Sequence, residues 1–281
     1  MVRRPIVQFP LAKLSPQPSP LGAARCTSVS RSKVLRRMGV WLCLAATALV
    51  VSCGSPERVF VSEATYEPPM DRPVVVETVV DLPFEATWSE LIRRLSESSY
   101  RVATLEKASR FVRVDLDRSS DLAAAANKPA RFVDCGRTTR TFSESSADAT
   151  AEQFEYPVAE SSRYREAALV EEGYRVSDVA RRVALDASAT IYLQPEGKRR
   201  TRVTVKSRYR VKIEISGRAQ IHPLDADEPP GPAIEFGPRT ESIRFTTFQP
   251  GRDKRQGGLT CRATGDFEHA LVAMANPAAA I

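Results

Sequence analysis

Apolar and polar residues alternate most cleanly between positions 202 and 215. Val203, Val205, Tyr209, Val211, Ile213 and Ile215 take odd positions, while Arg202, Thr204, Lys206, Arg208, Arg210 and Lys212 take even ones. A period of two predicts a strand with one buried and one solvated face. Val183 to Leu193 reads as the strand before it, ending in the turn Gln194-Pro-Glu-Gly197. Val112, Val114 and Leu116 alternate with Arg113, Asp115 and Asp117, which predicts a hairpin with Tyr100–Leu105. Val74 to Val80 is β-branched and strand-like, and Ile243 to Phe248 predicts another strand.

Two segments carry the helical period instead. Phe84, Trp88, Leu91, Ile92 and Leu95 form one apolar stripe after Asp81-Leu-Pro83, with Pro acceptable in the first turn. Phe267, Leu271 and Met274 form a second stripe, with Thr264 as the expected cap and Asp266 in the first turn. Residues 118–177 are rich in Ser, Ala, Glu and Arg and read as a flexible insertion. It is broken by Arg131-Phe-Val-Asp-Cys-Gly136, and Tyr156 and Tyr164 are the residues to pin it down. Residues 138–152 and 223–239 read as loops. The order predicts an α+β domain over 74–276, an antiparallel sheet with helices packed on one face in a helix-grip-like plan, followed by a short tail at 277–281.

The beginning of the chain follows a different logic. A basic cluster, Arg31, Lys33, Arg36 and Arg37, precedes the apolar run Met38–Ser52. That run is 15 residues long. A membrane-spanning helix needs roughly 20. No basic stop-transfer cluster follows it. The order of charge, short apolar core and small residues is that of a secretory signal. Val50-Val51-Ser52-Cys53 resembles the bacterial lipobox, whose cysteine is acylated with diacylglycerol and palmitate and becomes the new amino terminus. On this reading residues 1–52 are a leader and Cys53 is the lipidation site. A plain cleaved signal and a retained anchor are the alternatives. Residues 1–33 lack any periodic apolar pattern, and secretory signals begin close to their basic cluster, which places the true start of the chain near Val34; a genuine disordered extension is the competing reading. Residues 53–73, with Pro56, Pro68, Pro69 and Pro73, read as a flexible tether.

This division changes what charge and cysteine content mean. The chain carries a formal charge of +7. Eight of its 41 Lys and Arg lie before Cys53 and no acid does, leaving 33 bases against 34 acids. The basic surplus belongs to targeting, and nucleic-acid binding loses its support. Of the 5 cysteines, Cys26 and Cys43 leave with the leader and Cys53 takes lipid. Cys135 and Cys261 remain, and an even pair in an exported chain reads as a disulfide, with two separate buried thiols as the alternative.

Chemistry is sparse. The two histidines, His222 and His269, stand in a Pro-rich loop and on the last helix. Neither a nucleophile elbow, a phosphate loop nor a metal-ligand spacing occurs. No enzyme activity, cofactor or metal is expected. The polar stripe Arg202, Lys206, Arg208, Arg210 and Lys212 reads first as a solvated face balanced by acids on neighbouring strands, with Arg113, Asp115 and Asp117 to supply the balance. The sharper reading is a docking face for anionic headgroups or an acidic partner.

Three stretches carry a family resemblance: Asp81-Leu-Pro-Phe-Glu-Ala-Thr-Trp-Ser-Glu-Leu-Ile92, Arg101-Val-Ala-Thr-Leu-Glu-Lys107 and Phe111-Val-Arg-Val-Asp-Leu116. With the signal, they resemble bacterial envelope lipoproteins of the BamC-like group, the lipoprotein subunit of the outer-membrane barrel-assembly machine and its relatives. The tail Cys261-Arg-Ala-Thr-Gly-Asp-Phe-Glu268 is similar to a further lipoprotein group. The resemblance implies a periplasm-facing domain held to the outer membrane by lipid. Its role would be structural or in protein interaction, outer-membrane assembly included, with envelope proteins as partners. A module binding a lipid or small apolar ligand in a cleft under the terminal helix is the alternative.

Overall fold

The computed structural model describes residues 57–116, 128–145, 151–253 and 258–276. The chain divides into Met1–Ser52 and Cys53–Ile281, and every described residue belongs to the second unit. Cys53, Asp117, the leader and the tail lie outside the described residues.

In chain order the elements are β1 (Phe60–Glu67), β2 (Glu77–Val80), α1 (Phe84–Glu97), β3 (Arg101–Glu106), β4 (Phe111–Asp115), β5 (Val133–Asp134), β6 (Arg137–Glu144), β7 (Glu152–Pro157) and β8 (Ser162–Val170). Then come β9 (Gly173–Glu196), β10 (Arg200–His222), β11 (Ile234–Thr246), β12 (Gly251–Arg252), β13 (Thr260–Ala263) and α2 (Asp266–Ala275).

The spine is the hairpin β9–β10, strands of 24 and 23 residues. They stay in register from Arg200↔Glu196 to His222↔Tyr174. At roughly 3.3 Å per residue this ribbon is about 75 Å long. Shorter strands flank it, all antiparallel. β11 and β2 pair with β10, β8 pairs with the first part of β9, and β4 with its last part, carrying β3 at the edge. A separate three-stranded sheet runs β1-β6-β7, and a small one runs β12-β13-β5.

The α+β expectation is therefore corrected: among the described residues the protein is mostly β, with 58% strand against 14% helix. The helices were found where periodicity puts them, but they are caps rather than a layer. α2 has 10 residues and spans about 15 Å. It covers only a small part of a ribbon five times longer. The expected strands, Val183 to Leu193 and 202–215, are shorter than the observed Gly173–Glu196 and Arg200–His222, and length decides the class here.

Above the middle of the ribbon the core is filled. Leu91, Phe267 and Leu271 are fully buried, with Trp88 and Leu95 nearly so, and they join one cluster with Val112, Ile191, Val205, Val211 and Ile213. Phe267 meets Tyr100 at 5.6 Å and Phe132 at 6.1 Å between ring centroids. Arg94 of α1 donates to the Ala273 carbonyl of α2 at 3.2 Å, tying the two caps together. α2 starts at Gly265, whose φ of 95° suits glycine alone. Thr264, the expected cap, instead accepts the Asp266 N–H through Oγ1 at 3.3 Å.

Several expected loops are strands. β1 occupies part of the expected tether, and β6, β7 and β8 lie within the expected insertion. Their apolar content is low, yet Phe60, Phe142 and Tyr156 are buried. β11 likewise begins inside the expected loop 223–239. Cys135 and Cys261 are disulfide-bonded, S–S 2.01 Å, and join β13 to the end of β5. The turn after Cys135 needs Gly136: its φ is 76°, and a Cβ there would meet the Glu67 carbonyl oxygen at 2.1 Å.

Candidate functional site

The outward face of the ribbon sorts the basic stripe into engaged and free residues. Arg202 pairs with both Glu77 of β2 and Glu196 of β9, because the register sets it beside β2 and near the hairpin turn. Lys206 lies over the Tyr192 ring, 5.6 Å from its centroid. Lys212 reaches Asp186 at 3.0 Å. Arg208 and Arg210 form no ion pair among the described residues, although the register sets Arg210 opposite Asp186 on β9.

Strand register adds cations that the stripe alone did not contain. Arg210 stands opposite Arg244 on β11. Ser188, opposite Arg208 on β9, stands opposite Asp115 on β4. Asp115 is taken by its own neighbours, Arg101 at 2.6 Å and Arg113 at 3.9 Å. The balance expected from Arg113, Asp115 and Asp117 is thus spent locally in the case of Asp115, and Asp117 falls outside the described residues. What remains is an open groove of about 790 Å³ whose walls include Arg101, Arg113, Arg208, Arg210 and Arg244. Two acids, Asp115 and Asp186, stand with those five arginines.

The groove is built on a stiff base. Beneath the exposed arginines, Tyr209 and Phe245 stack at 5.0 Å with their planes 15° apart. Tyr209 is in turn held by the buried carboxyl of Glu268. Arginine forks match carboxylates and phosphates in two-point contact, and the sheet fixes the spacing at which they are presented. Arg208 and Arg210 were readable from the sequence. Arg244 was missed, because the register of β11 against β10 is set across a connection of 11 residues, His222 to Ile234, that hydropathy does not resolve. Its own signal was weak but present: Ser242, Arg244 and Thr246 are polar between Ile243 and Phe245.

The two histidines fall elsewhere. His222 packs edge-on to Phe60 at 5.0 Å, and His269 lies on α2. Among the described residues no cluster of His, Cys, Asp or Glu could hold a metal ion, and no helix is long and apolar enough to cross a membrane. Comparison with protein-family models, with curated proteins and with solved structures found no match.

Proposed function

We propose that this chain is a lipid-anchored lipoprotein of the bacterial cell envelope, held at the outer membrane through Cys53 with its domain facing the periplasm. Its role is protein interaction rather than catalysis. The docking surface is the arginine groove, and the partner it fits is acidic. The observation that carries this reading is the contrast between the core packed under α2 and an exposed face on which Arg208, Arg210 and Arg244 form no ion pair among the described residues. A carrier of an apolar ligand needs a chamber under α2, where Phe267 and Leu271 are fully buried against the sheet. That packing favours the interaction role over the ligand-carrier role.

The test has two arms. Cys53→Ala should abolish labelling by a clickable fatty acid in cells and move the domain from membranes to the soluble periplasmic fraction. A parent protein that takes no label, or label that persists in the variant, would overturn the anchor. Arg208→Glu with Arg210→Glu should then remove partners crosslinked by the unmodified protein while leaving its membrane location and thermal stability unchanged. An unchanged crosslinking pattern would overturn the groove as the docking surface.

A further inference from the structure

A second, more enclosed site lies where the β1-β6-β7 sheet meets β8 and β9. Arg181 of β9 is 5% exposed. Its guanidinium donates to the carbonyl oxygens of Glu160 at 2.7 Å and Val158 at 2.5 Å. Those oxygens satisfy two donors but not the charge. No ion pair to Arg181 exists among the described residues. Burial pushes its guanidinium below the ordinary arginine value, and the positive charge of Arg140 adds to that. An arginine buried without an anion carries a desolvation cost that an arriving anion would offset.

The neighbours make a chamber around it. Arg140 of β6 lies over the Tyr164 ring at 3.8 Å, donates to the Tyr156 hydroxyl at 3.2 Å and reaches Glu166 at 3.0 Å. Tyr156 and Tyr164 stack at 5.9 Å, nearly parallel. Burial pushes the Tyr164 phenol up to about 12. The cavity measures about 310 Å³, with Val158, Ile215 and Leu259 as its apolar wall. Glu166 faces a neighbouring cleft, and no carboxylate lines this one. Two arginines against a single nearby acid leave a net positive charge.

We infer that this chamber binds a small organic carboxylate, its carboxylate set between Arg181 and Arg140 and its apolar body against Val158, Ile215 and Leu259. A planar guanidinium matches a carboxylate in two-point contact. The volume suits a molecule of metabolite size and excludes a lipid chain with its headgroup. The site is independent of the arginine groove and of the lipid anchor.

Isothermal titration of the full-length protein in detergent with benzoate and butyrate tests this, with inorganic phosphate in parallel. Saturable binding of a carboxylate is expected, weakened at least tenfold by Arg181→Met. Because Arg181 is buried, a second variant guards against misfolding. Ala64→Trp places a large side chain at the cavity wall from an exposed position on β1, and it should also block binding. The inference is overturned if neither carboxylate binds the unmodified protein, or if Ala64→Trp leaves binding intact. Phosphate binding more tightly than both carboxylates would overturn the ligand class.

Discussion

The Tyr209 hydroxyl donates to Oε1 of Glu268 at 2.7 Å inside the core, and the Thr247 hydroxyl donates to the same oxygen at 2.6 Å. Glu268 is fully buried, its second oxygen has no hydrogen-bond partner, and no cation pairs with it among the described residues. The arrangement ties α2 to the strand that carries Arg208 and Arg210. Burial, followed by the Glu268 charge, raises the Tyr209 phenol far above its ordinary value, so it acts only as a neutral donor.

Removing that donor should cost more than removing the charge. Tyr209→Phe leaves the carboxyl short of a partner and should destabilise by about 1–3 kcal/mol. Glu268→Gln keeps an oxygen for both hydroxyls and should unfold within about 1 kcal/mol of the parent. Urea denaturation of both variants checks the order. A Glu268→Gln loss larger than that of Tyr209→Phe would contradict it.

Trp88 is 6% exposed and lies tilted against Phe84, 5.9 Å between ring centroids, in the apolar stripe of α1. Trp88→Ala should cost about 3–5 kcal/mol, measured by the same denaturation. Unchanged stability would mean the ring contributes little to the cap.

The stripe of α1, the β3–β4 hairpin and the alternation of β10 were legible because each follows one period throughout. β9 was legible only from about Val183, and the reason is visible in its burial. Val176 and Ser177 are both buried, and beyond them burial passes to the odd residues Val179, Arg181, Val183 and Leu185. The strand changes its buried face where the covering partner changes from Phe60 to the main core, and a two-sided strand shows no single period. β6 hides for another reason. Thr138, Thr139, Thr141 and Ser143 suit strands but register as polar, so a half-buried strand reads as a loop. The basic stripe was legible as a stripe, but which of its members are neutralised depends on register with β2, β9 and β11, which no single strand encodes.

The Cys135–Cys261 bond closes a loop with a sequence separation of 126. In the chain-entropy model a loop of that order stabilises by up to about 4–5 kcal/mol. Reduction under native conditions should lower the melting temperature, and Cys261→Ala should reproduce the shift without reductant. Identical melting of the reduced and oxidised forms would show that the bond constrains nothing the fold does not already hold.

His222 gives the stability a pH dependence of known sign. Burial and then the Arg58 charge push its imidazole below the ordinary 6.5, with Arg165 adding and Glu144 opposing. Its contribution is complete above pH 6.5. It is lost as pH falls, because the unfolded chain takes up the proton first. The melting temperature should therefore drop more steeply between about pH 7.5 and 5 in the unmodified protein than in His222→Gln. Parallel profiles would place the pH dependence elsewhere.

β1 has a consequence for distance. Glu57 already bridges Asp225, just past the end of β10 that His222 closes, so a lipid on Cys53 has four residues of slack, about 14 Å at full stretch. Such a leash cannot let the domain roam. Under the lipid-anchor proposal it pins one tip of the ribbon at the bilayer, while the Gly197 turn stands up to about 75 Å along the ribbon from it. Arg208 and Arg210 lie between the two tips. Their distance from the anchored tip is then set by strand length rather than by linker entropy, and under the same proposal an acidic partner meets them within that reach.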